Sequence, residues 1–459
     1  MSLRGNGRKK HRDTLYGFVE GLFTFVNLTL LTLAYSFAWF SEKLSMPFPF
    51  GGNVTVLGVY VILLYTFTSL YGGYQIGQLK RLDVINSQII SILFVNGITY
   101  LQISLMERTL VFSKAIPFLI LTLADIIIII CWAYIADTVY KKMYPPRDIV
   151  IIYDESNNFD LEEIKDKLVS RKDKFNVKRE VKSNESFEEI KKVINECGAV
   201  VLASEKEPVR ESILKYCFEE KINVFISPKL SDLMIRGAMR LELFDAPMYY
   251  CNNMGLTIGQ RFVKRLMDII VSLLLIILFS PVMIVIALAI KLYDKGPVLF
   301  KQKRYTRNGK VFEILKFRSM IVEAEKEGEV IPAEDNDPRI TPVGKVIRKI
   351  RMDELPQFFN ILKGDMSIVG PRPERVEHVD MYSEQIPEFR YRLKVKGGLT
   401  GYAQVLGKYN TSPYDKLRLD LMYIENYSLL LDLKLMLTTI KILLKSESTE
   451  GFNKGEGKK

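Results

Sequence analysis

Apolar positions crowd the first third of this chain. Leu15–Phe40, Val54–Ile76, Val84–Met106 and Val111–Tyr140 are four runs long enough for membrane helices, because a bilayer core takes about 20 residues at 1.5 Å each. The first run is too long for a cleaved leader, and no small-residue cleavage site follows it. Glu20 and Asp125 fall within these runs. Glu20 is near an end and reaches the interface. Asp125 is expected in the bundle interior, where an intramembrane carboxylate can serve ion or proton passage. Arg4, Arg8, Lys9, Lys10 and Arg12 precede the first run, Lys80 and Arg81 follow the second, and Lys141, Lys142 and Arg147 follow the fourth. The opposite loops hold Lys43 and Arg108. Positive charge therefore puts the N-terminus in the cytoplasm, and four crossings bring the chain back there.

The pattern changes after residue 145. Asp148–Tyr153, Ala199–Ala203 and Asn223–Ile226 read as short buried strands. Leu161–Leu168 and Phe187–Cys197 between the first two, and Val209–Glu220 before the third, are amphipathic. Strands alternating with helices predict a parallel sheet over 146–252. The fold expected is Rossmann-like. The turn after the first strand, Asp154-Glu155-Ser156-Asn157-Asn158, has no glycine and two acids, which argues against nucleotide binding there. A spacer or oligomerisation module is the expected role, and a homodimer fits it.

A fifth apolar run, Leu266–Leu292, carries positive charge on both flanks: Lys264 and Arg265 before it, Lys291, Lys295, Lys301 and Lys303 at and beyond its end. Both flanks then favour the same face of the membrane. Ser280-Pro281 sits near its centre, where proline removes a backbone hydrogen bond and bends a helix. A helix over 266–292 that enters one leaflet and returns, a re-entrant helix, meets both observations. The expected organisation is a multidomain membrane protein. It has an α-helical transmembrane bundle over 1–145, the α/β cytosolic module, a mixed α/β domain over 260–445, and a polar disordered tail over 446–459.

Composition narrows the chemistry. The 459 residues are 48% hydrophobic and 25% charged, with 64 Lys+Arg against 53 Asp+Glu, a net charge of +11. Such a chain is neither disordered throughout nor a purely hydrophobic bundle. Cys131, Cys197, Cys217 and Cys251 form no C-x-x-C pair, which excludes a zinc ribbon or disulfide scaffold. The only histidines are His11 and His378, too little material for chemistry built on His. No G-x-x-x-x-G-K-[ST] occurs, so a P-loop ATPase is not supported.

The charged residues beside Gly and Pro concentrate over 296–445. Between Lys301 and Arg318 stand seven Lys/Arg and one acid, Glu313, a patch suited to anionic headgroups or a diphosphate, or to plain solvated surface. Val311–Lys316 alternates as a strand leading into Lys316-Phe317-Arg318-Ser319-Met320. In Arg348-Lys349-Ile350-Arg351-Met352-Asp353-Glu354-Leu355-Pro356-Gln357, Leu355, Phe358, Phe359 and Leu362 have helical spacing up to Gly364. Asp353 falls at the expected N-cap, where a carboxylate can be only a cap. Arg348 and Arg351 upstream would hold phosphates or depress a carboxyl pKa. Gly370-Pro371-Arg372-Pro373-Glu374 sets one arginine fork between two rigid prolines.

Taken in order, these motifs resemble a known family. They run Lys264-Arg265…Asp268, Ser280-Pro281, Gly296-Pro297-Val298, Lys316–Met320, Arg351–Gln357, Gly370–Glu374 and Gly398-Leu399-Thr400-Gly401. The set is similar to the bacterial sugar transferases, the monotopic polyprenyl-phosphate phosphoglycosyl transferases. The front half matches only in architecture the large members that initiate exopolysaccharide, capsule or O-antigen synthesis. The resemblance implies transfer of a sugar 1-phosphate from a UDP-sugar to undecaprenyl phosphate, with release of UMP, a covalent ping-pong route and Mg²⁺. It implies Asp353 as nucleophile, Glu354 completing the dyad and assisting with metal, and Arg372 binding phosphate. Arg351, Lys316 and Arg318 are further phosphate-binding candidates, and Ser280 and Pro281 would shape the re-entrant helix. It also implies a bacterial cytoplasmic-membrane protein, catalytic on the cytoplasmic face, whose partners are substrates and lipids rather than nucleic acid. Gly397 stands where members commonly have proline, so that loop is expected to be looser. An inactive scaffold and a transporter resting on Asp125 are the competing readings. Nothing in the sequence names the sugar.

Overall fold

A computed structural model of the chain describes residues 3–41, 44–45, 47–48, 51–108, 115–154, 158–203, 207–243, 246–251, 255–322, 337–407 and 411–443. The tail over 446–459 lies outside these residues. The chain divides into two compact units, Met1–Ser227 and Pro228–Lys459.

The first unit opens with α1 (Leu3–Phe40), α2 (Gly52–Leu70), α3 (Arg81–Met106) and α4 (Ala115–Met143). All four are long and apolar enough to cross a membrane, α1 through its Gly17–Phe40 portion. Leu31, Tyr35, Tyr60, Ile92, Val95 and Ile129 interlock at their centre, with the Tyr35 and Tyr60 rings stacked 3.9 Å apart. Apolar side chains such as Phe37 (78% exposed) point outward, as in a bundle whose solvent is lipid. Asp125 is fully buried and accepts a hydrogen bond from Asn96 Nδ2 at 3.0 Å. Its interior position agrees with the sequence reading.

The α/β part follows as β1 (Arg147–Tyr153), α5 (Asn158–Val169), β2 (Phe175–Lys182), α6 (Phe187–Glu196), β3 (Ala199–Ala203), α7 (Glu207–Glu219) and β4 (Asn223–Ile226). Its sheet is wholly parallel, in the order β2-β1-β3-β4. Ile149–Ile152 of β1 are buried on both faces, which is why these central strands read as unbroken apolar runs. Strand β2 was not expected. Its sequence Phe-Asn-Val-Lys-Arg-Glu-Val-Lys is mostly exposed at the sheet edge, where charge is favoured and the apolar signal is weak. The sheet ends at Ile226, and the second compact unit starts at Pro228, inside the 146–252 span.

That second unit contains α8 (Leu230–Arg236), the antiparallel pair β5 (Met239–Leu243) and β6 (Ala246–Tyr250), and the long helix α9 (Ile258–Asp294). Next come the antiparallel pair β7 (Leu299–Tyr305) and β8 (Val311–Phe317), α10 (Pro342–Lys349), α11 (Gln357–Lys363), β9 (Ser367–Val369), α12 (Val376–Gln385), β10 (Gly398–Thr400), α13 (Tyr402–Leu406), α14 (Pro413–Glu425) and α15 (Leu429–Leu443). Strands β9 and β10 pair in parallel. Ile286 and Ile290 of α9 join Ile314, Ile361, Phe389 and Leu417 in one core.

Helix α9 starts with a capping box: Thr257 Oγ1 accepts from Gln260 N, and Gln260 Oε1 accepts from Thr257 N at 2.9 Å. Charged side chains bolt its first turns to the unit. Lys264 Nζ lies 2.6 Å from Asp432 Oδ2 on α15 and donates to Tyr423 OH at 3.0 Å. Arg265 donates to the carbonyls of Ile361 and Leu362, both at 2.6 Å. Asp268 accepts from Ser367 Oγ and Ile368 N, both at 3.0 Å. At the other end Asp294 pairs with Arg318. Between these anchors lie Pro281 and a stretch of exposed apolar residues that includes Ile277 and Val285.

Candidate active site

Three segments converge on one cleft. Lys316 comes from the end of β8, Glu354 from the turn before α11, Gln357 from the start of α11, and Arg372 from the loop after β9; Arg304 and Leu399 also line it. The chain segment Met352–Glu354 is a single 3-10 turn, and α11 begins only after Pro356. Asp353 is therefore not the N-cap of α11. Pro356 is the boundary residue, and no side chain caps the helix there. Gly364 ends α11 at φ +97°, a conformation that glycine adopts without strain.

Arg351, just before the turn, holds φ 53°. A non-glycine residue in this region costs about 1–3 kcal/mol and tends to occur at functional sites. Only Met352 separates it from the carboxylate pair.

The two carboxylates have different surroundings. Lys316 Nζ lies 2.8 Å from Glu354 Oε1, and Arg372 Nη2 lies 3.8 Å from the same oxygen. Burial opposes ionisation of Glu354, but Lys316, Arg372 and Arg351 outweigh it and hold its pKa down at about 2. Asp353 has no ion-pair partner within contact among the described residues. Burial pushes its carboxyl above the usual carboxylate range, the charge of Glu354 adds to this, and Lys316 and Arg348 pull it back. One acid is thus locked as a neutralised anion, while its neighbour keeps open lone pairs. Successive side chains of a turn point apart, which lets the pair divide its work.

The glycines of this region allow a close backbone approach. A Cβ on Gly398 would strike Gly370 N, and one on Gly401 would strike Gly370 O. Only glycine lets β10 and the Pro371–Pro373 loop meet, with Gly370 N donating to Thr400 O at 2.8 Å and Gly398 N to Pro371 O at 2.9 Å.

Lys316, Glu354 and Arg372 therefore come together in the lining, whereas Asp353, on the same turn as Glu354, and Arg351, just before that turn, are not among the lining residues. Arg318 does not line the cleft: it is 7% exposed and turned toward Asp294 and Gly296 at the end of α9. Ser280 and Pro281 lie mid-way along α9, where Ser280 Oγ donates to Ile277 O at 2.9 Å. The sequence reading missed Arg304 and Gln357 as lining residues and the buried Arg392 and Asp420 behind Arg372. Gln357 lay within a quoted motif. Arg304 stood within the basic patch between Lys301 and Arg318, whereas Arg392 and Asp420 carry no local signal, because their partners lie on distant segments.

Among the described residues no cluster of three or more His, Cys, Asp or Glu forms a metal cage. Two adjacent carboxylates nonetheless fit Mg²⁺, which commonly takes one or two carboxylates and completes its shell with water and substrate phosphate.

The unit pairs a cleft lined by Lys316, Arg372 and Arg304 with a helix long and apolar enough to cross a membrane, which puts the chain in the class of membrane proteins. Comparison with known sequences sharpens that class: residues 259–446 match the family model described as bacterial sugar transferase. The chain is 48% identical over 186 residues to a UDP-N-acetylgalactosamine-undecaprenyl-phosphate N-acetylgalactosaminephosphotransferase of Aeromonas hydrophila, covering 40% of this chain and 44% of that one. It is 46% identical over 211 residues to a UDP-glucose:undecaprenyl-phosphate glucose-1-phosphate transferase of Klebsiella pneumoniae, covering 45% and 43%. It is 38% identical over 190 residues to the uncharacterized sugar transferase EpsL of Bacillus subtilis, covering 41% of this chain and 91% of that one. This chain belongs to the bacterial sugar transferase family. Its matches span less than half the length of the first two relatives.

Proposed function

We propose that this protein transfers a sugar 1-phosphate from a UDP-sugar to undecaprenyl phosphate, releasing UMP, as the initiating step of an exopolysaccharide, capsule or O-antigen. The observation that carries this reading is the Asp353 carboxylate, without an ion-pair partner among the described residues, beside the Glu354–Lys316–Arg372 cluster, in a chain whose relatives are named for this type of transfer.

The chemistry follows from the charges. An Asp353 oxygen attacks the phosphorus next to the sugar, and the bond from that phosphorus to the bridging oxygen breaks. UMP leaves with the electron pair, and an aspartyl phospho-sugar remains. The phosphate oxygen of undecaprenyl phosphate then attacks the same phosphorus, and Asp353 leaves as carboxylate. No general base is needed, since an aspartate is ionised at neutral pH. The obstacle is repulsion between carboxylate and diphosphate. Arg372 and Lys316 offset it, and Glu354 holds Lys316 in place. Mg²⁺ bound at Asp353 and Glu354 would further neutralise the diphosphate. Arg351 adds positive charge at the turn.

The lipid acceptor cannot leave the bilayer cheaply, at about 0.8 kcal/mol per buried CH₂. A re-entrant α9 would bring the cleft to its headgroup. Both ends of α9 are bolted to the same unit by Lys264 and Asp294, and Pro281 lies within its apolar middle, which supports a helix that returns to its side of entry. The four-helix bundle would anchor the protein in the bacterial cytoplasmic membrane with the site facing the cytoplasm. The Rossmann-like module would act as spacer or homodimer contact.

The experiment is a panel of UDP-sugars offered to the purified protein in lipid nanodiscs with undecaprenyl phosphate and Mg²⁺. UMP release is expected with at least one sugar, together with a labelled sugar phosphate retained on the protein in the absence of acceptor. Asp353→Asn should lose both, and full turnover in that variant would reject the assigned nucleophile.

A further inference from the structure

We propose that Arg392 is a positioning residue that aims Arg372 at the substrate phosphates by clamping the backbone of the loop that carries it. The inference rests on the transfer reading above and goes beyond it to a residue that lines no part of the cleft.

The loop after β9 is held carbonyl by carbonyl. Pro371 O accepts from Gly398 N at 2.9 Å, and Arg372 O accepts from Arg392 Nη2 at 3.0 Å. Pro373 O accepts from Arg304 Nη1 at 3.2 Å, and Glu374 O accepts from Tyr305 N at 3.4 Å. Four consecutive carbonyls are thus pinned, while the Arg372 side chain itself stays 43% exposed and open to a ligand. A fixed backbone beneath a free side chain is what preorganised recognition of a phosphate needs.

Arg392 is the buried member of this clamp. Its side chain is 2% exposed, and its Nη2 also lies 2.7 Å from Asp420 Oδ2 on α14, whose side chain is 1% exposed. Its Nη1 stands 4.0 Å from Glu374 Oε1, and the guanidinium lies 4.9 Å from the centroid of the Phe389 ring. A charge so deeply buried is tolerable only with its partners in place. Through Nη2 the guanidinium joins Asp420 of α14 to the Arg372 carbonyl, with Glu374 at the edge of ion-pair range. Lysine would keep the charge beside Asp420 but lacks the rigid planar fork that fixes the direction of the bond to the Arg372 carbonyl.

The test is Arg392→Lys in the full chain in nanodiscs, alone and combined with Arg372→Ala. Two readouts are taken: amide hydrogen exchange over 370–375, and the KM for the UDP-sugar against kcat in UMP release. Arg392→Lys is expected to speed exchange over the loop and to raise that KM about tenfold, more than it lowers kcat. The KM effect should vanish when Arg372 is already alanine. Asp420→Asn, which keeps the side-chain volume, should act in the same direction and guards against misfolding of the lysine variant. Unchanged loop exchange in both variants, or losses that simply add to those of Arg372→Ala, would overturn the proposal. Absence of UMP release from the unaltered protein would overturn the transfer reading alone, and the exchange measurement would then decide the clamp by itself.

Discussion

Lys316 Nζ sits 2.8 Å from Glu354 Oε1, while Asp353, the preceding residue, keeps no ion-pair partner among the described residues. One ammonium thereby sorts two neighbouring carboxylates. It fixes Glu354 as an anion and only partly offsets the burial that raises the pKa of Asp353.

A pH dependence follows. Asp353 must be ionised to attack, so kcat/KM should fall as pH drops through its raised pKa. Lys316 is among the groups that lower that pKa. Lys316→Met should therefore move the acid limb of the profile to higher pH and cost about a hundredfold in kcat at neutral pH. An unmoved acid limb would show that Lys316 does not act on the nucleophile.

The same contacts set a stability term of opposite sign. The pKa of Glu354 is lowered in the folded state from 4.5 to about 2, so its contribution is present above pH 4.5 and lost as pH falls towards 2. Glu354→Gln should flatten the dependence of unfolding on pH within that window, as read by chemical denaturation in detergent.

What the sequence disclosed is what local pattern can carry. Four apolar runs became α1 to α4 because a span is defined by its own length and hydropathy. Central strands β1 and β3 were legible because both faces are buried, whereas β2 was not, since its edge position lets charge interrupt the pattern. Asp353, Glu354 and Arg372 were legible as contiguous motifs. Arg392 and Asp420 were not, because each matters only through a partner far along the chain. Arg318 shows the reverse case: a motif arginine whose fork faces Asp294, not the cleft.

Backbone crowding supplies a sharper test. A Cβ on Gly398 would collide with Gly370 N, and relief requires β10 or the Arg372 loop to move. Gly398→Ala is expected to destabilise the protein by about 2 kcal/mol or more and to weaken UDP-sugar capture. Thermal unfolding and KM would be measured together, and wild-type values for both would refute the packing argument.

The anchor of α9 is also open to mutation. Lys264 and Asp432 form a buried pair with side chains 7% and 0% exposed. Removing one partner strands the other charge, at a cost of about 3–5 kcal/mol. Lys264→Met should lower the unfolding temperature strongly, and adding Asp432→Leu should recover part of the loss. Equal losses in the single and double variants would mean that the pair does not hold the helix.

Topology is decided at Lys301, whose side chain is 60% exposed just beyond α9. In a chain freed of its four cysteines, Lys301→Cys should react with an impermeant maleimide only after the cytoplasmic side is opened. Labelling from outside intact cells would make α9 a spanning helix and remove the re-entrant reading.

The last prediction concerns which part of the chain performs the transfer. The match to Bacillus subtilis EpsL covers 91% of that protein but 41% of this chain, so almost all of a whole relative corresponds to a minority of the residues here. Pro228–Lys459 forms its own compact unit with its own core, and it holds Asp353, Glu354, Lys316, Arg372 and α9. Residues 228–459 expressed alone should therefore enter membranes through α9 and release UMP with a kcat comparable to that of the full chain. Loss of Asp125 along with the bundle should not matter to the chemistry. A folded fragment that binds UDP-sugar yet turns nothing over would instead place part of the catalytic requirement in Met1–Ser227, and would return the polar interior around Asp125 and Asn96 to consideration as a working site.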